Sequence, residues 1–571
     1  MGRAQGISSL GVTAKPTGVA LAILVAVILV QTWINFAGFG NLPLLYFERQ
    51  DRWLLMIQAL LLILLCRRLP ARAKALSPSG WMLPAATVSL VVLCYAGTKW
   101  ILCDYQLSRD EQMAVFDARI FSSGRMVAPL PHFWQQHASA LNLIFMPGGA
   151  HPIAWISSYL PMNALLRSGI GLIIDPAFTG PLFVAGGLIC LWHCARLIWP
   201  KDKEAAFVAC LLYIGSGQIL FAGMTAYAMP AHLTLNLLWL WLFLLNRRLT
   251  DLGALLVAFV ATGLHQLLFH PMFAAPLLVL LVKDRQWKRA ALFAAGYALI
   301  GAFWLRWPAI VQPLVENSTQ QAALAENPVG RLWAAATAAD PERTVNMAAN
   351  LLRFLAWQPI LLFTLMIAAL PVVRRNALAA SLAASVVLPI IVMAWILSYQ
   401  GHGFGYRYLH GTIGSCILLA VYGWQCLKQR TGMHAFLLRT TLATILIVLP
   451  IQAAMAHRFY ATYARIDRAI RSSGAQYALV GAADAPFSRD LILNSPDLRP
   501  PVRLVSEATD DELLRAICRH GAHIVTPSGS TYQPVEQLFG LSTSGMADAR
   551  IRSSTRRLKA AGCRLTPPVL R

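Results

Sequence analysis

Apolar residues run along this chain in long blocks rather than in alternation, and short polar segments punctuate them. Blocks of about 17–25 residues match a helix that crosses a bilayer, whereas a lipid-facing barrel would alternate with period two. Candidate spans lie near 17–37, 52–66, 82–102, 179–198, 205–222, 231–246, 252–268, 270–282, 290–308, 350–370, 378–398, 411–426 and 436–456. The pattern predicts a polytopic α-helical membrane protein with about 13 transmembrane helices. His265, Gln266, His270 and Pro271 interrupt the stretch 252–282. It reads as two short helices meeting near the outer surface, because Pro271 stops a helix from continuing. Arg3 and Lys15 precede the first apolar run, and no small-x-small cleavage site follows it, so it reads as a retained helix.

Charge sets the orientation. Only 13% of the 571 residues are charged, against about 25% in a typical soluble domain, and 57% are hydrophobic. The formal net charge of +23 sits in short clusters between apolar runs. These are Arg67-Arg68 with Arg72 and Lys74, Lys201 with Lys203, Arg247-Arg248, Lys283 through Arg289, Arg374-Arg375, and Lys428 with Arg430. Counted from a cytoplasmic N-terminus, every cluster falls inside, as the positive-inside rule expects of an inner-membrane protein. No basic face or aromatic platform stands apart from the membrane segments, which argues against a nucleic-acid partner.

The outside then receives the loop 103–178, the loop 309–349, the turn Tyr399–Gly411 and the tail from 457. The domain division expected is 1–456, transmembrane, and 457–571, a small periplasmic α/β domain. Its strands are Tyr477–Val480, Val502–Val505 and His523–Val525, with a helix from Asp510 to Arg519. Thr509 with Glu512 three residues on reads as a capping box, and the Arg/Ser-rich stretch 549–559 as loosely ordered. The ten cysteines show no CxxC pair. Most lie in apolar runs as small hydrophobes. A Cys518–Cys563 disulfide is open in an oxidising compartment, though spacing alone does not establish it.

Chemistry concentrates in the first large outer loop, at Ser108-Arg109-Asp110-Glu111-Gln112-Met113-Ala114, continuing through Asp117-Ala118-Arg119 to Gly124 and Pro129. Two carboxylates opening a helix are favourable on electrostatic grounds alone. Asp-Glu, then Ala-Arg, then Gly and Pro also resembles the first outer loop of GT-C glycosyltransferases. Within that superfamily it is most similar to the lipid A aminoarabinose transferase (ArnT) and protein O-mannosyltransferase families. The resemblance covers 108–170 and the overall plan of about a dozen helices followed by an outer domain. Where those families carry a Tyr-Pro-Gly-type element, this chain has Ser158-Tyr159-Leu160-Pro161-Met162.

The resemblance implies an enzyme that takes a sugar from a polyprenyl-phosphate carrier and gives it, with inversion, to a periplasmic acceptor: a glycolipid, polysaccharide or protein. By that analogy Asp110 is the base, and Glu111 orients the acceptor or shares a metal. Such chemistry needs a base at the acceptor hydroxyl and cations on the departing phosphate. Arg407, in Gly401-His402-Gly403-Phe404-Gly405-Tyr406-Arg407-Tyr408, is the first candidate cation, followed by Lys99, Arg306 and Arg119. Tyr159, Tyr227, His232, His402 and Tyr408 are candidates to line a substrate cavity. His132, His137, His151, His265, His270 and His410 also fall outside or near outer ends, without metal-ligand spacing. A Mg2+ or Mn2+ ion at Asp110 stays open as a cofactor. Trp239/Trp241 and Trp304/Trp307 read as lipid-facing anchors. A lipid-linked-sugar flippase and a non-catalytic scaffold are the alternative functions. The first would show ionisable residues deep in the helices and two related halves, and no internal repeat is visible.

Overall fold

Among the described residues of the computed structural model of this protein, six helices are long and apolar enough, by length and composition, to cross a membrane. They are Pro16–Ala37, Met82–Trp100, Pro176–Ile198, Trp287–Val315, Ala377–Ile396 and Met433–Ser472. The structure describes residues 15–67, 80–148, 152–316, 337–480, 488–519, 521–526, 529–540 and 555–566. Arg3, Arg68, Arg72, Lys74, His151, part of the loop 309–349 and part of the stretch 549–559 lie outside the described residues. The chain divides into two compact units. One comprises Met1–Ala96, Phe178–Leu305 and Asn327–Met455, the other Gly97–Ala177, Arg306–Glu326 and Ala456–Arg571.

In the first unit, hydropathy and helix length part company. Lys203–Ile214 and Gly217–Gly223 form a pair bent by 60°, where one expected span had been continuous. Ser216 caps the second piece by accepting the Ile219 N–H. The expected span 350–370 breaks into Arg343–Ala356 and Leu362–Ala368, with Pro359 in the gap. Arg52–Leu65, Arg248–Thr262 and Ile413–Leu427 have 14, 15 and 15 residues, short of a straight crossing. Hydropathy counts apolar residues whatever direction the backbone takes, so the helices give fewer full-length spans than the pattern did. The expected split within 252–282 is present, with helices Arg248–Thr262 and Phe269–Lys283. Pro271 does not stop the second helix; it sits in its first turn, where the missing N–H has no partner to lose.

Two tryptophan assignments are overturned. Trp239 and Trp304 are 0% and 1% exposed, packed among helices instead of facing lipid. Trp304 Nε1–H donates to the Phe259 carbonyl at 2.9 Å, which gives its polar edge a partner among the helices. Small residues allow the closest helix approach. A Cβ on Gly423 would collide with the Leu365 carbonyl, so Ile413–Leu427 meets Leu362–Ala368 backbone to backbone. At the ends of these helices, Arg289 pairs with Asp251 at 2.7 Å and Lys428 with Asp202 at 2.5 Å.

The second unit contains a four-stranded parallel sheet in the order β4-β3-β5-β6, from β3 (Tyr477–Val480), β4 (Val502–Val505), β5 (His523–Val525) and β6 (Arg564–Thr566). All four residues of β4 are buried, as a parallel strand covered on both faces requires. Three strands fall on the expected residues, because short β-branched runs between turn residues were readable. The helix α3 (Asp511–Cys518) is capped by Asp510, whose carboxylate accepts the Leu513 N–H at 2.7 Å. Thr509, the expected cap, is buried and instead donates its hydroxyl to the Val505 carbonyl at 2.7 Å. Cys518 and Cys563 form a disulfide. The segment 103–178 adds α1 (Arg109–Ser122), a two-residue pairing of β1 (Ala128–Pro129) with β2 (Ala154–Trp155), and α2 (Met162–Gly171). Met113, Phe116 and Ile120 of α1 share one apolar core with Trp155, Val502, Leu504 and Ile524. That core fixes α1 against the sheet.

Candidate functional site

The start of α1 is locked by its own sequence. Ser108 Oγ accepts the Glu111 N–H at 3.2 Å, and the Ser108 N–H donates to the Glu111 carboxylate at 3.3 Å. This reciprocal capping box satisfies two orphan donors at the helix start. The same Glu111 oxygen accepts the Tyr460 hydroxyl at 2.9 Å, and the residue is only 1% exposed. Glu111 therefore holds the helix in place, and its neighbour carries the accessible charge.

Asp110 is half-buried, and its carboxylate accepts a hydrogen bond from the Tyr159 hydroxyl. Seven residues along, Asp117 lies on the same face of α1, since seven residues make nearly two turns. It is 3% exposed and accepts both the Ser157 N–H, at 3.0 Å, and the Ser157 hydroxyl. Burial pushes the Asp117 carboxyl up to about 7, against the lowering pull of the two Ser157 hydrogen bonds. Ser157 Oγ also accepts the Tyr159 N–H at 3.3 Å. Asp117 thus anchors the segment that presents the Tyr159 hydroxyl to Asp110. Sequence reasoning missed Asp117 and Ser157 as site residues. The i, i+7 spacing of Asp110 and Asp117 was the available signal.

Other cations of this unit have different posts. Lys99 lies 3.0 Å from Asp104 and 3.1 Å from Asp175. Arg167, on α2, donates to the Pro176 carbonyl at 2.9 Å, and burial brings its pKa down to about 10. Arg119 and Arg306 are exposed. His132 is exposed and His137 half-buried against the Phe133 ring. Among the described residues, no group of three His, Cys, Asp or Glu is placed to share a metal ion. Glu111 is committed to the cap and Tyr460, which leaves a cation one carboxylate at Asp110. That donor set does not fit a chelated Mg2+ or Mn2+.

The first unit gathers the remaining candidates around the glycine loop. Arg407 is 6% exposed, with its guanidinium 4.6 Å from the Tyr227 ring centroid. The Tyr227 hydroxyl donates to the His402 carbonyl at 2.7 Å. Gly403 has φ of 151°, and a Cβ there would collide with Arg407 Cδ; only glycine lets the arginine stem pass beneath the loop. His402 Nδ1 pairs with the Tyr46 hydroxyl at 2.7 Å. Beneath lies a cluster that sequence reasoning did not single out. Arg353 and Asp51, both 0% exposed, pair at 2.8 Å. Arg353 also donates to the Gly403 carbonyl at 3.0 Å, and Trp357 Nε1–H to Asp51 at 2.8 Å. His232 and Tyr408 line a cavity of about 10 Å³ beside Arg407. That is room for about one water. Both ring nitrogens of His232 lack a hydrogen-bond partner among the described residues. His270 instead bridges Asn236, at 2.7 Å, and Tyr297, at 2.8 Å.

No protein-family model and no curated protein sequence matches the chain. Among solved structures, it is similar to a crystal structure of ArnT from Cupriavidus metallidurans bound to undecaprenyl phosphate. The identity is 11%, covering 85% of this chain and 90% of that one, with a TM-score of 0.49. It is likewise similar to the apo state of that protein, at 12% identity, covering 80% and 94%, with a TM-score of 0.49.

Proposed function

We propose that the protein is a membrane glycosyltransferase that moves a sugar from a polyprenyl-phosphate carrier to an acceptor hydroxyl on the periplasmic side of a bacterial inner membrane. The observation that carries this reading is Asp110: a half-buried carboxylate at the start of α1, held by the Tyr159 hydroxyl. It stands at the first acidic position of the loop motif that resembles GT-C transferases.

In the proposed step the acceptor oxygen attacks the anomeric carbon and the bond from that carbon to the phosphate oxygen breaks. The acceptor proton passes to Asp110, and the polyprenyl phosphate leaves with the bonding pair. One displacement inverts the anomeric centre. A carboxylate base positioned at a reacting hydroxyl contributes about 10²–10⁴ in rate. Tyr159 orients the carboxylate, and Asp117 with Ser157 positions Tyr159. Arg407, within the first unit by itself, is proposed as a cation for a phosphate oxyanion.

Orientation rests on independent supports. The basic clusters favour a cytoplasmic N-terminus, and the Cys518–Cys563 disulfide favours an oxidising compartment for the tail. The test is to incubate purified protein with a panel of labelled polyprenyl-phosphate sugars and an envelope extract as acceptor. Transfer of label from one donor, with none from the matching nucleotide sugar, is the expected result. Failure of every donor, with the protein folded, would remove the reading.

A further inference from the structure

The face of α1 that turns away from Asp110 lines a cleft of about 830 Å³ in the second unit. Arg109, Gln112, Phe116, Arg119 and Ser123 recur there at helical spacing. Asp110 and Asp117 lie on another face, since one residue turns the helix by roughly 100°. Six arginines line the cleft, namely Arg109, Arg119, Arg125, Arg471, Arg499 and Arg503, against the single carboxylate of Asp497.

Their partners separate scaffold from surface. Arg109 is tied to the Asn142 carbonyl at 2.9 Å and the Ile492 carbonyl at 3.1 Å. Arg503 is spent on Asp467 and the Leu491 carbonyl, each at 2.5 Å. Arg471 shares Asp467, and Arg499 pairs with Asp497 while 82% exposed. Arg119 and Arg125 are exposed and have no ion pair among the described residues. Partial burial, then the like charge of Arg471, lowers the pKa of Arg119. Asp497 offsets Arg499, and Asp467 is shared by Arg471 and Arg503, which leaves Arg119 and Arg125 on this wall with no ion pair among the described residues and an oxyanion from outside as their complementary ligand.

The rest of the lining narrows the class. Gln106 and Ser495 bring an amide and a hydroxyl to the lining, whereas Gln112 and Asn494 are spent on backbone carbonyls and on Arg109 and Arg503; Phe116 is the one aromatic ring, itself buried. Bases would find no stacking platform. A bilayer surface is flat, and a concave cleft cannot lie along it. An amide and a hydroxyl beside exposed guanidinium groups suit sugar hydroxyls beside acid groups. We infer that this cleft binds an anionic glycan, a saccharide segment carrying carboxylate or phosphate groups, held chiefly by Arg119, Arg125 and Arg499. The inference does not rest on the transferase reading, because it requires binding and no chemistry.

The test is fluorescence anisotropy on the full chain in detergent, with fluorescein-labelled oligogalacturonate as the carboxylate probe and a labelled phosphorylated oligosaccharide as the phosphate probe. The parent should bind at least one, and binding should weaken as salt rises past about 0.1 M. Arg119→Gln with Arg125→Gln should cut affinity by roughly tenfold or more, and Arg499→Gln should weaken it separately. Lys559→Gln, exposed elsewhere in this unit, should not alter it. These substitutions are at exposed positions, and an unchanged melting temperature confirms folding. The inference is overturned if neither probe binds, if a neutral oligosaccharide of equal length binds as well, or if the double variant binds like the parent. Binding only to phosphatidylglycerol vesicles would also overturn it.

Discussion

Asp110 and Glu111 are adjacent in sequence and opposite in circumstance. Glu111 is enclosed by the cap and Tyr460, while Asp110 is half-buried and accepts the Tyr159 hydroxyl. The motif identified both, and nothing in it said which was buried, because that depends on Tyr460, some 349 residues away. Asp117 makes a prediction at this scale. Burial raises its folded-state pKa from the ordinary 3.8 to about 7, so between those values the native protein keeps a proton that the unfolded chain has released. Stability must then fall as pH rises through that window. Asp117→Asn is neutral throughout and retains an acceptor for Ser157. Thermal melting in detergent from about pH 4 to about pH 8 should show a smaller loss of stability for the variant than for the parent. Identical profiles would mean that Asp117 is ionised in the folded protein.

The legible elements were those with strong local signals. Strands β3, β4 and β5 lie where expected, because their short apolar runs sit between turn residues. Breaks such as that at Pro359 were hidden inside apolar runs, and Trp239 and Trp304 looked like interfacial anchors until helix packing enclosed them. The Gly401–Gly405 loop was recognised from its glycines, but its support was not. Asp51 and Arg353 lie 302 positions apart and meet only through the fold. Removing one member of such a pair strands a buried charge. Arg353→Met should destabilise the protein by about 3–5 kcal/mol, and adding Asp51→Leu should recover part of that loss. Unfolding in a denaturant series checks both. A double variant no more stable than Arg353→Met would show that the pair is not coupled.

For the whole molecule, the alternation of basic clusters and apolar runs carries the topology, and helix lengths alone do not. Alkaline phosphatase fused after Arg571 should be active in cells, and fused after Arg285 it should be inactive. The reverse pattern would invert the orientation and put Asp110 on the cytoplasmic side. The anionic-glycan cleft was not legible, since its arginines come from segments some 380 residues apart that only the fold brings to one wall.

The most direct measurement is the single-turnover rate of sugar transfer by Asp110→Asn, run beside the parent with donor-lipid binding measured on the same preparation. The rate should fall by about 10²–10⁴ while donor affinity stays within about twofold. A folded Asp110→Asn protein that transfers sugar at the parent rate would contradict the account.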